Sequence, residues 1–247
     1  MSQTEETFNA YKHLFKPVPL EGQPNVCYLC LGAVGDFPQC YNCRKLFLES
    51  ACPTSLERRV IPMTIARNPS PWYWTLQTYK GAQFAENALV IASIAYQWLK
   101  QHKSKTASLL GGDADFLSIV PSKKPGITYE RQPLQRALSL VQPFGDRLRK
   151  TLRCVDATLG GHMKYAPEMF EPVDAAALER SRIILIEDTW ITGATALSAA
   201  GALLAAGAES VVITPIARDF RIAFHTEEHP YNSYIAEPYE LDRWPRL

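Results

Sequence analysis

The stretch RIILIEDTWITGATALSAAGALLAAGA, Arg182 to Ala208, decides how the chain folds. Ile183, Ile184, Leu185 and Ile186 form an unbroken apolar run, the pattern of a strand buried on both faces in the middle of a parallel sheet. Two acids, Glu187 and Asp188, stand at its carboxyl end, where open α/β sheets collect their ligands. A turn rich in threonine, glycine and alanine follows. It leads into an alanine-rich helix expected from about Ala194 to Ala206 and stopped by Gly207. Side-by-side carboxylates are costly unless they bind hydroxyls or a metal ion. Backbone N–H groups of a small-residue loop at a helix start, with threonine hydroxyls beside them, suit a phosphate. One strand–turn–helix unit thus offers an acid pair for vicinal hydroxyls next to a phosphate cradle, the layout a ribose 5-phosphate requires. An ordinary turn with surface acids is the plainer alternative. The chain has no P-loop signature, and no GxGxxG follows an expected strand.

Working outward, RRVIPMTIA (58–66), FLSIVP (116–121) and SVVITPIA (210–217) read as further strands. Between them, Phe84, Ala88, Ile91, Ala95 and Trp98 recur at helical spacing and predict a helix over 82–101. Strands alternating with helices predict an α/β fold with a mostly parallel sheet. Three parts are expected: residues 1–58 with the cysteines, 59–219 as the α/β domain, and 220–247 as a tail. The tail region carries Phe220, Phe224, Tyr231, Tyr234 and Tyr239, expected to pack on the domain, with a base-stacking surface as the alternative.

With 47% hydrophobic and 21% charged residues, the 247-residue chain has the balance of a soluble globular protein. Its formal net charge of +1 gives no global field for nucleic acid or an anionic membrane. No apolar run is long enough to span a bilayer, and the acidic, polar start lacks the order of a signal peptide. A cytoplasmic location without membrane contact is expected.

Cys27, Cys30, Cys40 and Cys43 follow the spacing Cys-x2-Cys-x9-Cys-x2-Cys. Two such turns each offer two sulfurs to one ion, which predicts a closed tetrahedral zinc site with a structural role, redox chemistry being the alternative. Cys52 and Cys154 stand apart as plain thiols.

Ile183 to Thr195 resembles the phosphoribosyl-pyrophosphate (PRPP) motif of type I phosphoribosyltransferases. Together with the cysteine block, Thr78-Tyr79-Lys80-Gly81 and Ile119-Val120-Pro121-Ser122-Lys123-Lys124, it is similar to the ComF-like branch of that family, over roughly residues 25–218. The resemblance implies a type I phosphoribosyltransferase-like sheet behind a zinc knuckle. Glu187 and Asp188 are then expected to hold the ribose hydroxyls with Mg2+. The loop of Thr189, Trp190, Ile191, Thr192, Gly193, Ala194 and Thr195, with Ser122, is expected to take phosphate. Lys123 and Lys124 are expected to meet the pyrophosphate, a solvated basic turn being the alternative. Residues 153–170 are expected to form a closing hood with Lys164 as a contact. The chain departs from the family at Glu187, at Ile191 in place of a threonine, and at the bulky Trp190. The implied activity is phosphoribosyl transfer to a nitrogen acceptor at low turnover. A weakly catalytic or non-catalytic accessory role in DNA uptake or recombination is the alternative, with DNA-processing proteins as partners. A homodimer is a further expectation.

Overall fold

The structure, a computed structural model, describes residues 2–81, 84–142, 144–221 and 228–246. Its strands are β1 (Thr64–Asn68), β2 (Phe116–Ile119), β3 (Leu152–Cys154), β4 (Phe170–Pro172), β5 (Arg182–Trp190) and β6 (Ser210–Arg221). Four of them make one sheet in the order β1-β6-β5-β2, and β3 with β4 forms a small antiparallel hairpin. Every pairing within the larger sheet is parallel. The expected strand at 58–66 runs beside β6 from Arg59 onward, Arg58 being a turn residue: Ile61 N–H donates to Ile213 O (2.9 Å) and Met63 N–H to Pro215 O (2.8 Å). Regular strand begins at Thr64 because Pro215 supplies no N–H to the ladder.

Both faces of β5 are covered, which is why its sequence does not alternate. Ile184 and Ile186 join Leu117, Ile119, Val212 and Ile216 against the helix Phe84–Gln101. Ile183 and Leu185 join Val211 and Ile213 against the helix Ala194–Ala205. Each fully buried Ile or Leu stabilises the sheet by about 1.5–3 kcal/mol. The expected start of the first helix at residue 82 lies outside the described residues. The second ends where expected: Gly207 adopts φ +100°, and Ala208 N–H returns to Leu203 O (3.1 Å).

Several helices escaped the periodicity reading, among them Pro71–Thr78 and Gln3–Tyr11. Pro71–Thr78 carries its own start signal, with Pro71 in its first turn and the Ser70 hydroxyl accepting from Tyr73 N–H (3.1 Å). It sits on the sheet through Trp72, whose indole N–H donates to Thr64 Oγ1 (2.9 Å). Gln3–Tyr11 begins with a reciprocal capping box between Ser2 and Glu5.

The three parts read from the sequence share their cores. The four cysteines pack in one apolar cluster with Leu152, Leu185 and the helix Ala194–Ala205. The tail closes over both. Tyr231 is fully buried and donates its hydroxyl to Leu31 O (2.7 Å), while Trp244 stacks on Trp98 with ring centroids 5.8 Å apart. Arg246, 6% exposed, donates to the carbonyls of Tyr28, Leu29 and Val60 and faces Glu21. Phe220 is buried, and Tyr239 packs edge-on against Phe15. These rings are core, so the base-stacking alternative for the tail is corrected at those positions; Phe224 lies outside the described residues. Among the described residues, no helix is long and apolar enough to cross a membrane.

Candidate functional site

β5 continues past Glu187 to Trp190 because β6 keeps pairing with it, Thr189 opposite Ala217 and Trp190 opposite Arg218. The acid pair therefore sits on rigid strand rather than on a loop. Asp188 is already engaged: Oδ2 accepts the Tyr79 hydroxyl (2.6 Å) and lies 2.7 Å from Lys80 Nζ. Burial first, then the charge of Asp188, pushes the Tyr79 phenol far above its ordinary range, so it stays a donor. Glu187 accepts no hydrogen bond from any described residue. Burial, reinforced by the neighbouring Asp188 charge and offset in part by Lys80 and Lys123, pushes its carboxyl up to about 8. The two acids are thus unlike, one ion-paired and one holding a proton at neutral pH.

This asymmetry makes stability depend on pH. Glu187 keeps its proton in the folded chain up to about 8, whereas the unfolded chain loses it near the ordinary value of 4.5. Across that window the folded state binds more protons, so stability falls as pH rises and levels off above the folded value. Relative to wild type, Glu187→Gln is expected to gain stability between pH 5 and pH 9, by on the order of a few kcal/mol at the alkaline end. Urea unfolding of both proteins at pH 5, 7 and 9 checks this. A constant difference between them would show that Glu187 does not titrate abnormally.

Beyond the acids, Gly193 adopts φ +88° and caps the helix Ala194–Ala205. The first-turn N–H groups of that helix have no carbonyl one turn earlier to bond; Ala194 N–H donates to Thr192 Oγ1 (3.4 Å), which leaves those of Thr195 and Ala196 for an anion. Half-buried Thr195 stands in this first turn, next to Ala194. The other expected phosphate contacts are placed differently. Trp190 is 1% exposed and packs under the loop, where it fills the space a side chain on Gly193 would need. The expected contact of Trp190 with a ligand is therefore corrected: it supports the loop from inside. Thr192 Oγ1 donates to His162 O (2.6 Å), so its proton is committed to the protein. Ile191 is 39% exposed and turned toward the cysteine segment, where both line a cleft. Thr189 Oγ1 is buried without a partner among the described residues.

On the other side of β5, Ser122, Lys123 and Lys124 form the turn after β2. Ser122 N–H donates to Gln132 Oε1 (3.0 Å), and Lys124 N–H donates to Ser122 Oγ (3.2 Å), which fixes the backbone while both lysines stay exposed. The turn lines a cleft of about 340 Å3 with Lys150 and Arg153. Lys123 is near enough for its charge to act on Glu187, which ties this basic turn to the acid pair.

The expected closing hood at 153–170 is instead docked on the site helix. Its ends pair as β3 and β4, and Ala166 N–H donates to Ser198 Oγ (2.9 Å). Tyr165 lies so close over Gly201 that a side chain there would meet its hydroxyl. Lys164 points to solvent. Small residues in the helix are what let this segment approach.

The sulfurs of Cys27, Cys30, Cys40 and Cys43 lie within 4.8 Å of one another, all buried, and are positioned to hold a metal ion. Hydrogen bonds from Cys27, Cys40 and Cys43, with the charge of Arg218, hold the Cys30 thiol well below its usual range. Arg218 reaches the cluster from β6, with its guanidinium against Gly32 and donating to Trp190 O (3.1 Å). Cys52 is buried outside this set, and burial pushes its thiol up to about 12.

Tyr79 and Lys80 are the site residues that residue-by-residue reading misses. Their partner lies 109 positions away for Tyr79, and nothing local in the sequence connects them. No family model matches the chain, and neither does any curated protein.

Proposed function

We propose that the carboxyl end of β5 binds the ribose 5-phosphate part of PRPP, as a ComF-like, type I phosphoribosyltransferase-like protein would. The observation that carries the reading is the pairing of unlike acids on rigid strand with free helix N–H groups one turn away. Glu187 and the open Oδ1 of Asp188 face the ribose hydroxyls. Lys80 and Tyr79 hold Asp188 in place and offset part of its charge, and Glu187 carries a proton at neutral pH, so two carboxyls can share a small space. The N-terminal turn at Gly193, Ala194 and Thr195 takes the 5-phosphate. Lys123 and Lys124 face the pyrophosphate.

Mg2+ would be held by the carboxylate of Asp188 and by Glu187 once that group gives up its proton; when bound, it would neutralise pyrophosphate charge. In the transfer, the C1–O bond breaks and pyrophosphate leaves with the electron pair. The nitrogen acceptor's lone pair forms the new bond to C1, and its proton goes to solvent. The chain's own work is positioning and charge stabilisation. In the cysteine segment, one zinc ion fits by size: sulfurs about 2.3 Å from a tetrahedral ion lie about 3.8 Å apart, and Cys30 and Cys40 are separated by 3.8 Å.

The test separates the two phosphate subsites. Replacing Lys123 and Lys124 together by alanine is expected to weaken pyrophosphate binding about tenfold or more and to leave ribose 5-phosphate binding within twofold. Calorimetry with each ligand reads both. Equal loss of the two affinities would contradict the assignment of the lysines.

A further inference from the structure

Arg218 stands opposite Trp190 in the β5–β6 ladder and is only 8% exposed. Its Nη1 donates to Trp190 O (3.1 Å) and to Asp219 O (2.6 Å). Trp190 is the last residue of β5, and the chain runs from it through Gly193 into the helix whose first turn is assigned the 5-phosphate. The opposite side of the guanidinium lies on the cysteine segment, where a Cβ on Gly32 would be 2.8 Å from Nε and Nη2. A glycine at that point lets the backbone of the segment rest on the guanidinium.

Arginine stays charged inside proteins, and a buried charge without a counter-charge is strongly unfavourable. Among the described residues no carboxylate forms an ion pair with Arg218; the neighbouring Asp219 pairs with Arg221 instead. The balancing charge comes from the sulfur cluster, since Cys30 and Cys40 are near enough for their charges to act on the guanidinium. Cysteines bind metal as thiolates, so four of them around one divalent ion keep a net negative charge. One rigid fork thus faces the charged cluster on one side and the main chain of the phosphate loop on the other. We propose that Arg218 is a positioning residue of that loop: the cysteine cluster fixes its guanidinium, the guanidinium fixes Trp190 O, and metal in the cluster and ribose 5-phosphate at the helix start therefore favour one another. The effect on affinity rests on the ribose 5-phosphate reading; the ordering of the loop does not.

Two measurements on the full zinc-loaded chain test this. Zinc affinity is read by competition with a chromogenic chelator, with and without saturating ribose 5-phosphate and Mg2+; loop order is read by hydrogen exchange over residues 190–198. In wild type, ribose 5-phosphate is expected to raise zinc affinity about tenfold, and linkage then requires zinc to raise ribose 5-phosphate affinity by the same factor. Arg218→Lys keeps the charge but loses the fork that serves both sides. Its zinc affinity without ligand is expected within about threefold of wild type, its coupling below about twofold, and its exchange over 190–198 about tenfold faster. Arg218→Met is expected to lose about tenfold in zinc affinity as well. Tyr231→Phe removes a different contact to the cysteine segment, the bond to Leu31 O, and is expected to keep wild-type coupling and exchange. Wild-type exchange over 190–198 in Arg218→Lys overturns the proposal. So does ligand binding without coupling in wild type, coupling that survives in Arg218→Lys, or equal loosening in Tyr231→Phe. If ribose 5-phosphate does not bind wild type but exchange responds as expected, the positioning role stands and the sugar-phosphate reading alone falls. Arg218→Lys retains the buried charge, so it decides the matter even if Arg218→Met does not fold.

Discussion

Cys40→Ser is expected to strip the chain of its metal and to lower its thermal midpoint by roughly 7–13 °C. At least about 10 kcal/mol of binding free energy is at stake in zinc sites of this type. If a third of that supports the folded chain, the shift follows at about 2–4 °C per kcal/mol for a protein of this size. The loss spreads because the sulfurs are not an isolated knuckle. They share an apolar cluster with Leu152, Leu185 and the site helix, and Arg218, Tyr231 and Arg246 reach the segment from elsewhere in the chain. Without a metal, the three remaining buried thiols and the new serine stay in mutual contact with Arg218 charged beside them. Metal analysis with thermal unfolding checks the expectation: close to one zinc per wild-type chain, less than half an equivalent in Cys40→Ser, and unchanged content in Cys52→Ser. A variant that loses no stability along with its metal would show the ion to be adventitious.

Gly193→Val is expected to destabilise the chain by about 3–5 kcal/mol. At φ +88° any side chain is strained, at a cost of about 1 kcal/mol or more. The added carbons also enter the Trp190 ring, which is locked at 1% exposure, and overpacking of that kind costs about 1–3 kcal/mol. Valine adds a branch at the worst point. Gly193→Ala is expected to show the same fault at about half the size. Urea unfolding midpoints measure both. Wild-type stability in the valine variant would mean that Trp190 does not lie under the loop. Gly193 is therefore a poor probe of phosphate binding, since its replacement damages the loop before any ligand arrives.

The parts of the fold written in local pattern were legible. The unalternated Ile183–Ile186 run gave a strand covered on both faces, and Gly207 marked the helix end within one residue. The paired Cys-x2-Cys turns gave a sulfur cluster. What was not legible depends on distance along the chain. Tyr79 and Lys80 meet Asp188 only once the helix Pro71–Thr78 is laid on the sheet through Trp72. The role of Trp190 was misjudged because loop membership says nothing about which way a side chain turns; its burial comes from the cysteine segment and the site helix packing on the same face. Residues 153–170 read as a mobile segment for want of periodicity. They are held in part by contacts to Ser198 and Gly201, small helix residues whose significance depends on what faces them.

The central claim is that the acid pair and the helix start together hold a ribose 5-phosphate, and calorimetric titration of ribose 5-phosphate with Mg2+ into wild type and Asp188→Asn tests it most directly. The substitution keeps the shape and the Tyr79 contact but removes the charge that Lys80 balances. Wild type is expected to bind one equivalent. Asp188→Asn is expected to bind about tenfold or more weakly, the size of one lost charge-assisted hydrogen bond. Absence of binding to wild type, or equal affinity in the two proteins, would contradict the account.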